Sequence, residues 1–332
     1  MTRVMVVAST ILPSGDAPLL VDRALRELGC DTKLVALEED LPLMEAIHWV
    51  SAARFDRRRF NRRLLHEAAR FDPNILLIYD SNWGIFPSTL RSLRSRHGCR
   101  VVLWEKNLNL WTRCQVECFP LYDHVFCADS YPLPLLRKPS TGLRDVRFLG
   151  SCCDPEEHGR VPLSQRDRER FAAEVSFVGG GRPRRRELFE HLTAHRLRLW
   201  GWGWDKSPAL APFMVPETVF GLKKTKIYSA TSICPSLQSG LYQVNGISER
   251  PLEIACCGRA PFSEPQPDLS RFLEPESEVI LFSGPEDLAR KVDSYLRRPD
   301  ELDRIGERAR QRVLAQHTYR HRLSELLEVA CA

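Results

Sequence analysis

Three stretches of the chain hold residue types that act on phosphate and hydroxyl groups. The first runs Arg250-Pro251-Leu252-Glu253-Ile254-Ala255-Cys256-Cys257-Gly258. It reads as a short amphipathic helix that stops at Gly258. Glu253 falls near its N-terminal end, where the positive end of the helix dipole keeps a carboxylate ionised at modest cost. An ionised carboxylate accepts hydrogen bonds from vicinal hydroxyls such as those of a ribose. The second is Val178-Gly179-Gly180-Gly181-Arg182-Pro183-Arg184-Arg185-Arg186, a strand running through a glycine turn into a helix. Glycines bare backbone N–H groups, and the helix N-terminus aims partial positive charge at the same spot. Arginines in a first helical turn oppose the dipole. Their presence points to a bound anion; a solvated basic turn is the other reading. The third is Gly201-Trp202-Gly203-Trp204 at a strand end, where Trp202 could stack on a nucleobase or pack under the loop. Asn245 and Arg250, in and after the loop over 237–249, could contact sugar hydroxyls or phosphate, or simply be solvated.

Other candidates are less specific. His124 and Glu105 lie near strand ends and are the candidates for a general base. His158 could act on an acceptor or a phosphate, or order a linker. Cys114, Cys118 and Cys127 imitate a metal site but lack a second Cys or His half nearby. His317 and His321 are spaced to share one helix face, with no third ligand apparent. No metal is expected.

The elements that must position these groups are those of an α/β protein. Strands are expected over 4–9, 33–37, 74–79, 101–104, 123–128 and 146–149. Helices are expected from Asp16 to Gly29, over 60–70 and over 87–96. This strand–helix alternation opens a Rossmann-like domain. The first loop, with Pro13, Ser14 and Gly15, holds one glycine rather than Gly-x-Gly-x-x-Gly, so no dinucleotide is expected there. Asp80-Ser81-Asn82-Trp83-Gly84 makes a polar turn at a carboxyl strand end. The stretch 160–170 is charged and lacks an apolar period, which puts a domain boundary there. Strands then follow over 174–178, 197–200, 228–235 and 278–282. Ser283-Gly284-Pro285-Glu286 reads as a capping box.

With 332 residues, 43% hydrophobic and 27% charged, the chain is long enough for about two domains. No apolar run approaches the roughly 20 residues of a spanning helix. The first eight residues read as a strand rather than a leader, so a cytoplasmic protein is expected. The 11 cysteines form no secreted-domain framework, and reduced thiols are expected. Arginines cluster at 57–59, 62–63 and 184–186, either as solvated helix faces or as attraction for phosphates. No aromatic RNA-binding signature or zinc finger accompanies them, and nucleic acid is not an expected partner.

Several of these strings together resemble one family. Arg250-Pro251-Leu252-Glu253 through Gly258 is similar to the R-x-F-E-x-x-A-x-G segment of CgeB-like glycosyltransferases, members of the GT-B group of nucleotide-sugar enzymes. Tyr122-Asp123-His124 through Asp129, Asp154-Pro155-Glu156-Glu157-His158, Phe177-Val178-Gly179 through Arg185, Tyr228 through Ser236, and His317-Thr318-Tyr319-Arg320-His321-Arg322 resemble further motifs of that family. The chain departs from it at Asn245, eight residues before Glu253, where many retaining members have Glu, and at Pro235-Ser236, where Leu-Asn is usual. The resemblance implies two Rossmann-like domains facing a cleft: an acceptor domain over 1–160, a nucleotide-sugar donor domain over 161–314, and a C-terminal helix over 315–332 crossing back. It implies transfer of a sugar from a nucleotide-sugar donor to an unknown acceptor hydroxyl or similar nucleophile, retaining and metal-independent, with no cofactor. Glu253, Arg185 and His124 stand as catalytic candidates. Gly179, Gly180, Gly181, Arg182, Arg185, Trp202, Asn245, Arg250 and Glu253 stand as donor-binding candidates, with Arg185 and the three glycine amides on the diphosphate. A nucleotide-sugar epimerase or hydrolase, or a non-catalytic binding protein on the same scaffold, is the alternative.

Overall fold

The computed structural model describes residues 1–9, 17–37, 57–80, 84–106, 113–237 and 243–332. The loop at 13–15, the Asp16 cap, the turn at 81–83 and part of the loop before Arg250 lie outside the described residues. The chain divides into two compact units. One comprises Met1–Gly150, Gly240–Asn245 and Tyr319–Ala332; the other comprises Ser151–Ser239 and Gly246–Thr318.

The first unit is a parallel sheet of β1 (Arg3–Ala8), β2 (Asp31–Ala36), β3 (Ile75–Asp80), β4 (Arg100–Glu105), β5 (His124–Cys127) and β6 (Val146–Phe148), in the order β2-β1-β3-β4-β5-β6. Helices α1 (Ala17–Glu27), α2 (Arg57–Phe71), α3 (Pro87–His97), α4 (Arg113–Cys118) and α5 (Leu133–Leu136) connect the strands. All six residues of β3 are buried, as an inner parallel strand covered on both faces must be. The apolar face of α2 closes the core through Phe60, Leu64 and Ala68, each fully buried.

In the second unit, α6 (Pro155–His158) and α7 (Gln165–Phe171) precede β7 (Ala173–Val178). Then come α8 (Pro183–Glu190), β8 (Leu197–Trp200), β9 (Met214–Val215), α9 (Gly221–Ala230), β10 (Thr231–Ser236), α10 (Arg250–Cys256), β11 (Pro261–Ser263), β12 (Ile280–Leu281), α11 (Gly284–Leu296) and α12 (Pro299–Gln316). The strand order is β9-β8-β7-β10-β11-β12. Counted within the unit this is 3-2-1-4-5-6, the order of dinucleotide-binding sheets, and ligands bind where that order reverses. Here the reversal falls between β7 and β10. Their ladder holds Thr231 against Ala173 and Ile233 against Val175 and goes no further, although β7 continues to Val178. Pro235 has no N–H with which to extend it. The carboxyl ends of β7 and β10 are thereby left unpaired with each other.

Three sequence expectations change. The charged stretch at 160–170 is not a linker: the units divide at Gly150/Ser151, and the stretch contains most of α7. A capping box starts that helix. Ser164 Oγ accepts from the Asp167 N–H at 3.1 Å and the Asp167 carboxylate accepts from the Ser164 N–H at 3.1 Å. The box expected at 283–286 does not close: the Ser283 side chain makes no cap hydrogen bond, and the Ser283 N–H is held by Asp287 at 2.9 Å instead of by Glu286. His317 and His321 do not share a helix. His317 caps α12, whereas His321 lies in α13 (Tyr319–Cys331), which belongs to the first unit. Among the described residues no helix is long and apolar enough to cross a membrane.

Candidate functional site

Arg185 and Arg250, two of the side chains that the sequence marked, meet at the carboxyl end of β7. Phe177 is their floor. Its ring makes edge contacts with Phe189 at 5.3 Å and Trp204 at 5.7 Å, which fix it. Two guanidinium groups lie over the same ring, Arg250 at 4.7 Å and Arg185 at 5.0 Å from its centre. Cation–π attraction holds each there by about 0.5–2 kcal/mol. Arg250, the first residue of α10, also donates to the Val178 carbonyl at 3.2 Å. Arg185, in the first turn of α8, donates to the Gly180 carbonyl at 3.0 Å. The Nε of each is buried with no hydrogen-bond partner among the described residues. Neither makes an ion pair there, whereas Arg184 is paired with Glu264. Burial, then the nearby charges of Arg250 and Arg182, brings Arg185 down to about 9. Two cations are thus held close together with no direct ion pair among the described residues, an arrangement that favours a bound anion.

Beside them lies a carboxylate that is fully provided for on one side only. Glu253 is 7% exposed. Its Oε1 receives the Lys224 ammonium at 2.7 Å and faces His158 Nε2 at 3.5 Å. Both contacts fall on Oε1, which leaves Oε2 able to accept. Burial would raise the Glu253 carboxyl, but Lys224 and then His158 outweigh it and hold it at about 2. Burial works to lower the Lys224 ammonium, and Glu253 overrides it, so Lys224 ends above its ordinary value. Lys224 comes from α9, and Tyr228, one turn further along, is buried beside the pair; burial and then Glu253 push its hydroxyl up. His158 comes from α6, whose Asp154 cap accepts from the Glu156 and Glu157 N–H groups at 2.9 Å.

The glycines do a different job from the one expected. The Gly179 N–H donates to the Trp200 carbonyl at 2.8 Å and the Gly181 N–H to the Trp202 carbonyl at 2.9 Å, so two of the three amides are not bare. Instead the turn is packed backbone to backbone against the loop after β8. A Cβ on Gly181 would stand 2.7 Å from the Gly203 oxygen and the Trp204 nitrogen, and one on Gly201 would stand 2.7 Å from the Gly179 oxygen. Trp204 is fully buried and donates its indole N–H to Gly179 at 3.0 Å. Trp202 is 61% exposed on the same loop. Gly181→Ala is therefore expected to destabilise the protein by about 1–3 kcal/mol, as overpacking does; urea unfolding measures it.

Two candidates belong to the first unit. Asn245 belongs to the first unit, where its N–H donates to Asp129 at 3.2 Å and its side chain to Ser130 at 3.0 Å. Eight residues before Glu253 in sequence is not one helical face away, because α10 begins only at Arg250. His124 opens β5 at its amino end and pairs with Asp145 at 2.8 Å. The strand register sets His124 against Val102 and Glu105 against Cys127, so Glu105 is at the carboxyl end and His124 is about 10 Å from it along the strand. Glu105, buried, lies opposite Asp80, which has a φ of 76°. Among the described residues no group of three His, Cys, Asp or Glu could hold a metal ion. Sequence reading missed Lys224 altogether. Its one signal was the cationic run Lys223-Lys224-Thr225-Lys226.

Residues 183–328 match the family model described as "Glycosyl transferase-like". No curated protein matches the chain in sequence. Among solved structures the chain is similar to sucrose-phosphate synthase from Thermosynechococcus elongatus, with a TM-score of 0.70 and 13% identity, covering 99% of this chain and 98% of that one. A glycosyltransferase from Rickettsia africae is similar with a TM-score of 0.69 and 10% identity, covering 99% and 97%. Anabaena HepE in complex with UDP and glucose is similar with a TM-score of 0.65 and 8% identity, covering 99% and 100%. The chain thus has the fold of the GT-B glycosyltransferases, two Rossmann-like units in one chain, and its residues 183–328 are similar to a glycosyl transferase-like family model.

Proposed function

We propose that the protein is a glycosyltransferase of the CgeB-like kind, which moves a sugar from a nucleoside diphosphate sugar to an acceptor nucleophile with retention and without a required metal. The observation that carries this is the pair of guanidinium groups on Phe177, Arg185 and Arg250, each with a buried and unsatisfied Nε, next to an ionised Glu253. A guanidinium binds phosphate oxygens in a fork of parallel hydrogen bonds. When the anomeric C–O bond breaks, its electron pair ends on the diphosphate. Cations already in place stabilise that charge without reorganising. Glu253 Oε2 accepts from the donor ribose, Gly180 and Arg182 flank the phosphates, and Trp202 covers the base. Like HepE, whose structure holds UDP, we take the donor to be a uridine nucleotide. A reducing, cytoplasmic setting fits the described cysteines, none of which is in a disulfide and all of which except Cys331 are buried.

The test is UDP release from UDP-sugars, measured with and without a panel of acceptor alcohols. Release that depends on the acceptor supports transfer. Release without any acceptor points to a hydrolase or epimerase. Folded protein that binds no nucleotide would leave a non-catalytic scaffold.

A further inference from the structure

We infer that His158 is a positioning residue: with Lys224 it pins one oxygen of Glu253, so that the other, Oε2, meets the ligand in a single orientation. This rests on the reading of the site given under Proposed function. The arrangement starts in the sequence Asp154-Pro155-Glu156-Glu157-His158. Asp154 caps the four-residue helix α6 with its side chain, and its backbone N–H reaches His158 Nδ1 at 3.1 Å. Because Nδ1 accepts, the proton of a neutral ring sits on Nε2. That nitrogen faces Glu253 Oε1 at 3.5 Å. The turn itself is anchored from both neighbouring helices. Thr225 of α9 donates to the Glu157 carbonyl at 2.7 Å, and the Cys257 thiol, just past α10, donates to the His158 carbonyl at 3.1 Å. Thr225 is adjacent to Lys224, so both groups that meet Oε1 are tied into one rigid joint of α6, α9 and α10.

A purely structural role would look different. A carboxylate buried for stability must have its lone pairs satisfied on both oxygens, or the desolvation penalty is not recovered. Here Lys224 donates to Oε1 at 2.7 Å, His158 Nε2 faces the same oxygen at 3.5 Å, and no donor among the described residues reaches Oε2. Double anchoring of one oxygen fixes the direction of the other. A bound hydroxyl pair is then read along one line, as a preorganised site requires.

Two substitutions separate the contacts of the ring. His158→Asn keeps an acceptor where Nδ1 was and loses the reach to Glu253. His158→Gln keeps an N–H where Nε2 was and loses the Asp154 contact. Affinities for UDP and for inorganic pyrophosphate are measured by calorimetry below the melting midpoint of each variant. We expect the Kd for UDP to rise about 10-fold in His158→Asn, the scale of one charge-assisted hydrogen bond held off its line. Pyrophosphate, held by the arginines, should stay within about twofold by the same additivity, and His158→Gln should bind UDP nearly as wild type does. If His158→Asn does not fold, His158→Phe fills the volume of the ring without its N–H and carries the same expectation. Equal weakening of UDP and pyrophosphate, or equal loss in the Asn and Gln variants, would overturn the positioning role. Wild-type protein that binds neither probe would overturn the reading of the site, and this inference with it.

Discussion

Lys224→Met is expected to cost the folded state about 3–5 kcal/mol at neutral pH, because it strands a buried carboxylate without its main counter-charge. It should also change the sign of one component of the pH dependence. In the wild type the Glu253 carboxyl is held at about 2 in the folded chain and returns to about 4.3 when unfolded. Its contribution, on the order of 3 kcal/mol, is fully present above the unfolded value. It is lost as pH falls through the folded value. Without Lys224, burial becomes the stronger influence and the folded carboxyl rises above its unfolded value. A raised carboxyl favours the folded state at low pH, and that benefit disappears as pH climbs. Urea unfolding at pH 4 and pH 7 measures the difference. The wild type should gain stability between the two and the variant should gain less or lose. An unchanged difference would mean that Lys224 does not hold Glu253 ionised.

Arg185→Leu is the second large effect, and its signature is a separation of stability from binding. The wild-type guanidinium, half-buried beside Arg250 and Arg182, is lowered to about 9, first by burial and then by those neighbouring charges. Removing it relieves repulsion while keeping an apolar side chain over Phe177. Stability should stay within about 1 kcal/mol of wild type or rise, as when a strained functional group is replaced. Affinity for a nucleoside diphosphate should fall about 10- to 150-fold, the equivalent of about 1.5–3 kcal/mol for hydrogen bonds from a charged donor. A structural arginine would show the reverse, with lost stability and intact binding. Melting curves and calorimetric titration of the same preparations distinguish the two.

The parts of this fold that were legible in the sequence are those written locally. Ile75-Leu76-Leu77-Ile78 could only be an inner strand, and β7 running into glycines and then into arginines announced a strand–turn–helix unit. Glu253 and the arginines of 184–186 were singled out in the same way, by residue type and position in an element, and Arg185 among them by the family resemblance. The partners were not, because they are tertiary. Lys224 lies 29 residues before Glu253, on a helix whose apolar positions show little periodicity, and Tyr228 was read as strand when it closes that helix. The Gly179 and Gly181 amides looked bare because the carbonyls that occupy them, on Trp200 and Trp202, arrive from the next strand and loop. His158 lies 95 residues before Glu253, and its task was visible only once α6, α9 and α10 were seen to share one joint. Asn245, close in sequence to Glu253, is bound to Asp129 and Ser130 in the first unit, a tertiary placement that sequence distance does not show.

The most direct test of the central claim, that the end of β7 holds a nucleoside diphosphate between Arg185, Arg250 and Glu253, is a calorimetric titration of UDP into wild type, Arg185→Leu and Glu253→Gln, with pyrophosphate as the second ligand. The account predicts that wild type binds both, and that UDP at about 100 times its Kd stabilises the fold by about 2.7 kcal/mol. Arg185→Leu should lose both ligands, and Glu253→Gln should lose affinity for UDP but keep pyrophosphate. Folded wild-type protein that takes up neither ligand, or UDP binding undiminished in Arg185→Leu, would contradict it.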